Sequence, residues 1–123
     1  MTKEQIAEPL AKFHARVDST GRIIIPRHIR SIFNIKAGNF VKVDIRHVSV
    51  DLTKKEIHII KVAHNLTMRV GRAGALTIPK DLREKLLLTP GDLVEVILYD
   101  IVRLENDISK RFKYVYSFDA RVE

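Results

Sequence analysis

The chain contains an internal repeat. Residues 14–48 match residues 67–101 without a gap when the sequence is shifted by 53 positions. A repeat of this length is typical of a supersecondary unit that cannot bury its apolar face alone and packs against a copy of itself. Two copies predict a pseudo-twofold pair, not a solenoid. The identical residues are Arg16/Arg69, Val17/Val70, Gly21/Gly74, Ile25/Ile78, Pro26/Pro79, Arg30/Arg83, Gly38/Gly91, Val41/Val94 and Val43/Val96.

The length of 123 residues allows one compact domain, or two small ones that share a core. Residues 1–11 are polar, contain Pro9 and fall outside the repeat, so we expect an N-terminal tail there. No stretch has the length and apolar character of a membrane span or a signal peptide, which favours a cytoplasmic protein without a membrane partner. The absence of cysteine excludes disulfides and thiolate nucleophiles.

The protein is basic, and its charge is unevenly distributed. The formal net charge is +7. Residues 12–64 carry eleven Lys and Arg against four Asp and Glu, whereas residues 65–117 carry nine against seven. A local excess of positive charge indicates a polyanionic partner that binds mainly the first copy. The alternative is a solvated surface rich in Lys and Glu, as in heat-adapted proteins.

Alternation and turn residues predict the elements of the first copy. Apolar and polar residues alternate over 13–17, and 18–21 supply a turn, so a hairpin with the return strand 22–25 is expected. Pro26 suits the first turn of a helix, which we place at 26–33. A long strand at 40–50 and a shorter one at 57–62 complete a β-β-α-β-β unit.

The second copy repeats this order after a separator at 63–65. Its strands are predicted at 66–70, 76–78, 93–103 and 111–117, with a helix at 79–87. We therefore divide the chain into copy 1 at residues 12–64 and copy 2 at residues 65–118, which together form one pseudo-twofold domain.

Both copies resemble the SpoVT/AbrB-type swapped-hairpin DNA-binding domain. The segments that carry the resemblance are GRIIIPRHIRSIFNIKAGNFVKVDI (21–45) and GALTIPKDLREKLLLTPGDLVEVIL (74–98). The family pattern is a D-x-x-G-R turn, an apolar triplet ending in Ile-Pro, a short helix with Leu-Arg, and an x-x-G-D/N turn before an alternating strand. Copy 1 follows it nearly throughout, from Asp18 to Asn39. Copy 2 lacks the acidic residue of the first turn and has Ala75 in the place of Arg22.

The resemblance implies a mainly β fold with two short helices, in which tandem β-β-α-β-β copies form an interleaved swapped-hairpin β-barrel. In the family two identical subunits usually exchange hairpins, whereas here one chain can supply both copies. Whether the copies pair within one chain or across a homodimer stays open. Family members are mostly DNA-binding transcription regulators or antitoxins.

The resemblance also assigns DNA contacts to arginines of the first hairpin and helix. The matching positions are Arg16, Arg22, Arg30, Arg69 and Arg83. We add Arg27, which shares a helix face with Arg30, and Arg72, which restores charge near Ala75. Guanidinium groups suit both phosphate binding and readout of guanine edges. Because Arg30 and Arg83 recur in both copies, a structural ion pair with Asp18 or Asp92 is an equal alternative.

Other kinds of chemistry have little support in the sequence. Five histidines (His14, His28, His47, His58 and His64) include no i, i+4 pair, so we expect no metal site. No catalytic motif is present, and we expect neither a catalytic residue, a cofactor nor a small-molecule ligand. Aromatic residues at every second position (Phe112, Tyr114, Tyr116 and Phe118) are typical of a strand facing a core or interface, with stacking on single-stranded bases as the alternative.

The sequence therefore predicts a sequence-specific regulator of transcription that binds double-stranded DNA mainly through the basic turn and helix of copy 1, in the cytoplasm at the nucleoid. The alternatives are an antitoxin-like protein-interaction module and a non-specific architectural chromatin protein. An antitoxin of this family usually has a toxin-binding tail, and only residues 119–123 follow the last predicted strand.

Overall fold

A computed structural model of the chain describes residues 8–103, 111–115 and 117. They are mainly β-structure with two helices, as predicted. In chain order the elements are β1 (Ala11–Arg16), β2 (Arg22–Ile24), α1 (Arg27–Phe33), β3 (Phe40–Asp51), β4 (Glu56–Arg69), a 3-10 turn (Arg72–Gly74), β5 (Ala75–Thr77), α2 (Lys80–Lys85) and β6 (Leu93–Val102).

The described strands form two open antiparallel sheets, and the predicted closed barrel is not found. One sheet has four strands in the order β1-β6-β3-β4, and the other pairs β2 with β5. The predicted hairpin between residues 13–17 and 22–25 is wrong, because β1 pairs with β6 and β2 pairs with β5. The physical reason lies in the core, since the pairing of β2 with β5 places Ile23 opposite Leu76, and neither side chain is accessible to solvent.

The predicted separator at residues 63–65 is also wrong. β4 is one strand of 14 residues that runs through it. The ladder with β3 has a register shift there, and Asn65 adopts a positive φ of 58°. Its N–H donates to Oδ1 of Asp44 on β3 at 2.9 Å. The residues that were predicted to separate the two copies therefore contain a β-bulge inside a continuous strand.

The last strand predicted for copy 2 is absent from the described part of residues 111–117. The ring of Phe112 instead stands edge-on to a phenylalanine ring of α1, with ring centroids 5.6 Å apart. The hydroxyl of Tyr114 donates to a backbone carbonyl near the start of β1 at 2.6 Å. Tyr116 and Phe118 lie outside the described residues. Phe112 and Tyr114, the two residues of this aromatic row that lie within the described residues, therefore make contacts within the chain.

Residues from both halves of the chain form one hydrophobic core. Ile23 and Leu76 are fully buried in it, and burial of an apolar side chain of this size stabilises a fold by about 1.5–3 kcal/mol. Many of the other core residues are matched at the 53-residue offset: Val17/Val70, Ile25/Ile78, Ile35/Leu88, Val41/Val94, Val43/Val96 and Ile45/Leu98.

The two helices begin at matching positions, Arg27 and Lys80. Pro26 and Pro79 precede them, where a fixed φ near −65° and a missing N–H are both tolerated. Shortly after each helix comes a residue with positive φ, which is Asn34 (52°) after α1 and Leu87 (59°) after α2. No helix in the described part of the chain is long and apolar enough to cross a membrane.

Leu87 occupies a backbone conformation that disfavours its side chain. A left-handed conformation costs an L-residue roughly 1–2 kcal/mol, whereas glycine adopts it freely. Because the Leu87 side chain is 56% exposed, little burial offsets this cost. We expect Leu87→Gly to raise the free energy of unfolding by about 1 kcal/mol, measured by urea denaturation. Asn34→Leu at the matching position should lower the free energy of unfolding. A loss of stability in Leu87→Gly would contradict the left-handed conformation of residue 87.

Candidate nucleic-acid interface

Three of the predicted DNA-contacting arginines line one open cleft. Arg22 lies at the start of β2, Arg69 at the end of β4 and Arg72 in the 3-10 turn, and all three side chains are exposed. The cleft has a volume of about 770 Å³. We call it the basic cleft. The fold therefore brings Arg22 of β2 to the two arginines at the end of β4 and in the 3-10 turn.

Backbone hydrogen bonds fix the geometry of the basic cleft. The Val70 carbonyl accepts from the Gly38 N–H at 2.8 Å, which holds the end of β4 beside the turn before β3. The Gly71 N–H donates to the Ala75 carbonyl at 2.7 Å and closes the loop that carries Arg72. Pairing of β2 with β5 places Arg22 beside Thr77, and both residues line the cleft. Turn geometry and strand register, not side-chain packing, therefore position the three arginines.

The basic cleft is electropositive. No Asp or Glu is among the residues that line it within the described ranges. Arg22 also has an acidic neighbour, Asp18, which does not line the cleft. The Nε of Arg22 lies 3.3 Å from Oδ2 of Asp18. The backbone N–H of Arg22 and the hydroxyl of Thr20 donate to Asp18 and hold its pKa at about 2. Asp18 is thus ionised at neutral pH, and its carboxylate orients the Arg22 side chain beside the turn at residues 18–21.

Arg16 and Arg27 are exposed but lie outside the basic cleft. Arg16 matches Arg69 at the 53-residue offset, and its Nη1 donates to the Gly91 carbonyl at 2.9 Å. Arg27 is the first residue of α1. Arg16 and Arg27 therefore do not join Arg22 in lining the basic cleft, and a contact of either with DNA stays a prediction.

Arg30 and Arg83 make matching structural contacts. Each is partly buried, and each donates to a backbone carbonyl five residues earlier: Arg30 Nε to Ile25 at 2.9 Å, and Arg83 Nη1 to Ile78 at 2.6 Å. Each guanidinium also covers a glycine of the opposite copy. A Cβ on Gly74 would overlap Arg30, and a Cβ on Gly21 would overlap Arg83. A contact of either arginine with DNA stays a prediction.

Some residues of the basic cleft had no signal in the sequence. Thr67 and Thr77 line it with their hydroxyl-bearing side chains, and Gly71 contributes backbone. Hydroxyl and backbone N–H groups are common phosphate ligands in protein–DNA interfaces. The two threonines belong to strands of different sheets, β4 and β5, and the fold brings both to the lining of the basic cleft. Only knowledge of this tertiary arrangement could have identified them.

Four of the five histidines have a carboxylate neighbour. His14 lies 3.1 Å from Glu95, His47 3.5 Å from Asp92, His58 3.0 Å from Glu56 and His64 3.0 Å from Asp44. Burial alone would raise the pKa of Asp44, but the hydrogen bond with His64 and the bond from a backbone N–H outweigh it and lower the pKa. No group of three His, Cys, Asp or Glu suited to a metal ion occurs among the described residues.

Comparison with known proteins shows what this chain is similar to. Residues 67–105 match the family described as antidote-toxin recognition MazE, bacterial antitoxin. The solution structure of PHS018 from Pyrococcus horikoshii is 35% identical, covers 80% of this chain and 99% of its own, and superimposes with a TM-score of 0.61. No curated protein matches the sequence. The chain therefore contains a MazE/AbrB-type antitoxin domain at residues 67–105 and belongs to the same family as PHS018.

Proposed function

We propose that this protein is a sequence-specific, double-stranded DNA-binding transcription regulator of the AbrB type, and that the basic cleft contacts the DNA. The observation that carries the proposal is the convergence of Arg22, Arg69 and Arg72 on one open surface without a carboxylate among its described lining residues. Guanidinium groups bind phosphate or guanine edges bidentately. The MazE/AbrB-type domain contributes two of the three arginines, since Arg69 and Arg72 lie within residues 67–105.

The proposed DNA contact spans both copies, instead of depending mainly on copy 1. Arg22 approaches from β2, while Arg69 and Arg72 approach from the end of β4 and the turn that follows. Thr67 and Thr77, which also line the cleft, add hydroxyl groups that bind phosphate oxygens. In this arrangement the phosphate contacts set affinity and register, and a guanidinium that reaches a base edge sets sequence preference.

The proposal includes two AbrB-like copies, 12–64 and 65–118, paired within one chain. Matching backbone hydrogen bonds support it. The Ile25 N–H donates to Gly74 and the Ile78 N–H donates to Gly21, both at 2.9 Å. Each copy thus completes the backbone hydrogen bonding of the other, which is the relation expected of exchanged hairpins.

A second candidate function is an antitoxin-like protein-interaction module. The description of the matched family as a toxin-recognition antitoxin favours it. A third, an architectural chromatin protein, would use the same basic cleft for phosphate contacts without sequence preference. None of these functions includes a catalytic step, a cofactor or a small-molecule ligand.

Fluorescence anisotropy with genomic and random duplexes over a salt series tests the proposal. We expect some genomic fragments to bind at least about tenfold more tightly than random DNA, with log affinity falling linearly with log salt. Equal binding of all duplexes would favour the architectural function. Absence of binding at low salt would overturn DNA binding and leave the protein-interaction module.

A further inference from the structure

The backbone hydrogen bonds that shape the basic cleft occur a second time in the chain. The Gly91 N–H donates to the Val17 carbonyl at 2.7 Å, and the Asp18 N–H donates to the Arg22 carbonyl at 2.9 Å. Each of these bonds is the equivalent, at the 53-residue offset, of one of the two bonds that position the basic cleft. The fold therefore provides a second site with the same backbone hydrogen bonds. We call it the counterpart site (residues 14–19, 24 and 75).

The two-stranded sheet relates the two sites in the same way. Arg22 pairs with Thr77 at one end of this sheet, and Ile24 pairs with Ala75 at the other end. Ile24 is the equivalent of Thr77 at the 53-residue offset, and Ala75 is the equivalent of Arg22. The exchange of β2 with β5 therefore exchanges the basic cleft with the counterpart site.

The side chains of the counterpart site lack the positive charge of the basic cleft. The equivalents of Arg22, Arg69 and Arg72 are Ala75, Arg16 and Ser19. The one remaining arginine is engaged within the chain, since Nη1 of Arg16 donates to the Gly91 carbonyl at 2.9 Å. Asp18 takes the place of Gly71 and adds a negative charge. Phosphate is therefore attracted to the basic cleft much more strongly than to the counterpart site.

The positions that supply hydroxyl groups differ in the same direction. Thr67 and Thr77 line the basic cleft, whereas their equivalents are His14 and Ile24. Ile24 has no polar atom in its side chain, and His14 Nε2 lies 3.1 Å from the Glu95 carboxylate. These two positions therefore provide hydroxyl ligands for phosphate in the basic cleft and none at the counterpart site.

We infer that each chain contacts duplex DNA through the basic cleft and not through the counterpart site, so that it recognises one half-site instead of an inverted repeat. This inference rests on the proposed DNA-binding function. Palindromic operators mirror the twofold symmetry of the proteins that bind them. In this chain the backbone repeats at the two sites, but the side chains that would contact DNA do not. A sequence that one site reads has no inverted copy.

A matched pair of added carboxylates tests the inference. Thr77→Asp and Ile24→Asp change the net charge equally, at equivalent and exposed positions of the two-stranded sheet. In fluorescence anisotropy we expect Thr77→Asp to lower affinity for duplex DNA by about tenfold or more, because its carboxylate would face phosphate. Ile24→Asp should stay within about threefold of the wild type, because its charge lies away from the contact and is screened. Far-UV circular dichroism must show that both variants are folded.

The two equivalent arginines give a second pair. The inference differs here from the family resemblance, which assigns a DNA contact to Arg16 as well as to Arg69. Arg69→Ala should lower affinity by about tenfold and flatten the plot of log affinity against log salt by about one. Arg16→Ala removes the same side chain, and we expect the slope of its plot to match that of the wild type.

Selection of bound duplexes from a random pool measures the recognised sequence directly. We expect the enriched duplexes to share one motif without an inverted copy. An inverted repeat, or equal losses within either pair of variants, would overturn the inference and leave DNA binding in place. A pool without an enriched motif would overturn half-site recognition together with sequence specificity. A wild type that binds no duplex at low salt would overturn the proposed function, and the inference with it.

Discussion

Removal of the three guanidinium groups of the basic cleft is expected to lower affinity for duplex DNA by about a thousandfold. Loss of one arginine that contacts a phosphate or a base costs about 1–3 kcal/mol, and the variant Arg22→Ala/Arg69→Ala/Arg72→Ala loses three. Its plot of log affinity against log salt should be flatter by about three, because each lost phosphate contact removes about one released counterion. Fluorescence anisotropy at several salt concentrations measures both quantities.

A charge-matched variant separates a local site from a general effect of net charge. Lys54→Ala/Lys55→Ala/Lys113→Ala removes the same number of positive charges from exposed positions that do not line the basic cleft. We expect it to lose less than about tenfold in affinity, since screened charges away from the contact contribute mainly long-range attraction. Equal losses in both variants would show that DNA binding follows net charge, and the assignment of the basic cleft would be wrong.

Truncation of Leu76 is expected to cost about 3 kcal/mol of the free energy of unfolding. Leu76 lies on β5 opposite Ile23 on β2, and neither side chain is accessible. Leu→Ala in a packed core costs about 2–5 kcal/mol, because a cavity is added to the lost transfer free energy. Small domains are stable by only about 5–15 kcal/mol, so the loss is a large fraction of the total. Urea denaturation followed by circular dichroism measures it.

Ile24→Ala provides the control for this cavity. Ile24 neighbours Ile23 on β2 but points to the opposite face and is 46% exposed. It should cost less than about 1 kcal/mol, because truncation there leaves no enclosed void. If Leu76→Ala costs no more than Ile24→Ala, the two-stranded sheet is not the centre of the core and the described packing is wrong.

Local patterns predicted the elements well and their pairing poorly. Alternation located β3 and β6, and Pro26 and Pro79 marked the starts of both helices. The pairing of β1 with β6 joins residues between 77 and 87 positions apart, which no local pattern reveals. Residues 63–65 were predicted to separate the two copies, but they contain a bulge whose hydrogen bond to Asp44 exists only in the folded sheet.

The candidate site was predicted in part for the same reason. The family resemblance identified Arg22 and Arg69, and Arg72 was added for its charge near Ala75. The structure brings the three to one cleft. Arg30 and Arg83 looked identical in chemistry, yet each donates to a backbone carbonyl and covers a glycine. A sequence shows that a guanidinium is present, but the backbone geometry around it decides whether its donors remain available for a ligand.

The long-range strand pairing has a consequence for how the chain reaches its native state. Ala11 pairs with Leu98, so the four-stranded sheet cannot close until almost the whole described sequence is present. Proteins dominated by such distant contacts fold slowly, often in milliseconds to seconds, because loop-closure entropy is lost before the contacts form. On the ribosome β1 therefore emerges long before its partner strand. During that interval its apolar face is unprotected, and a folding rate measured for the complete chain will not describe the nascent one.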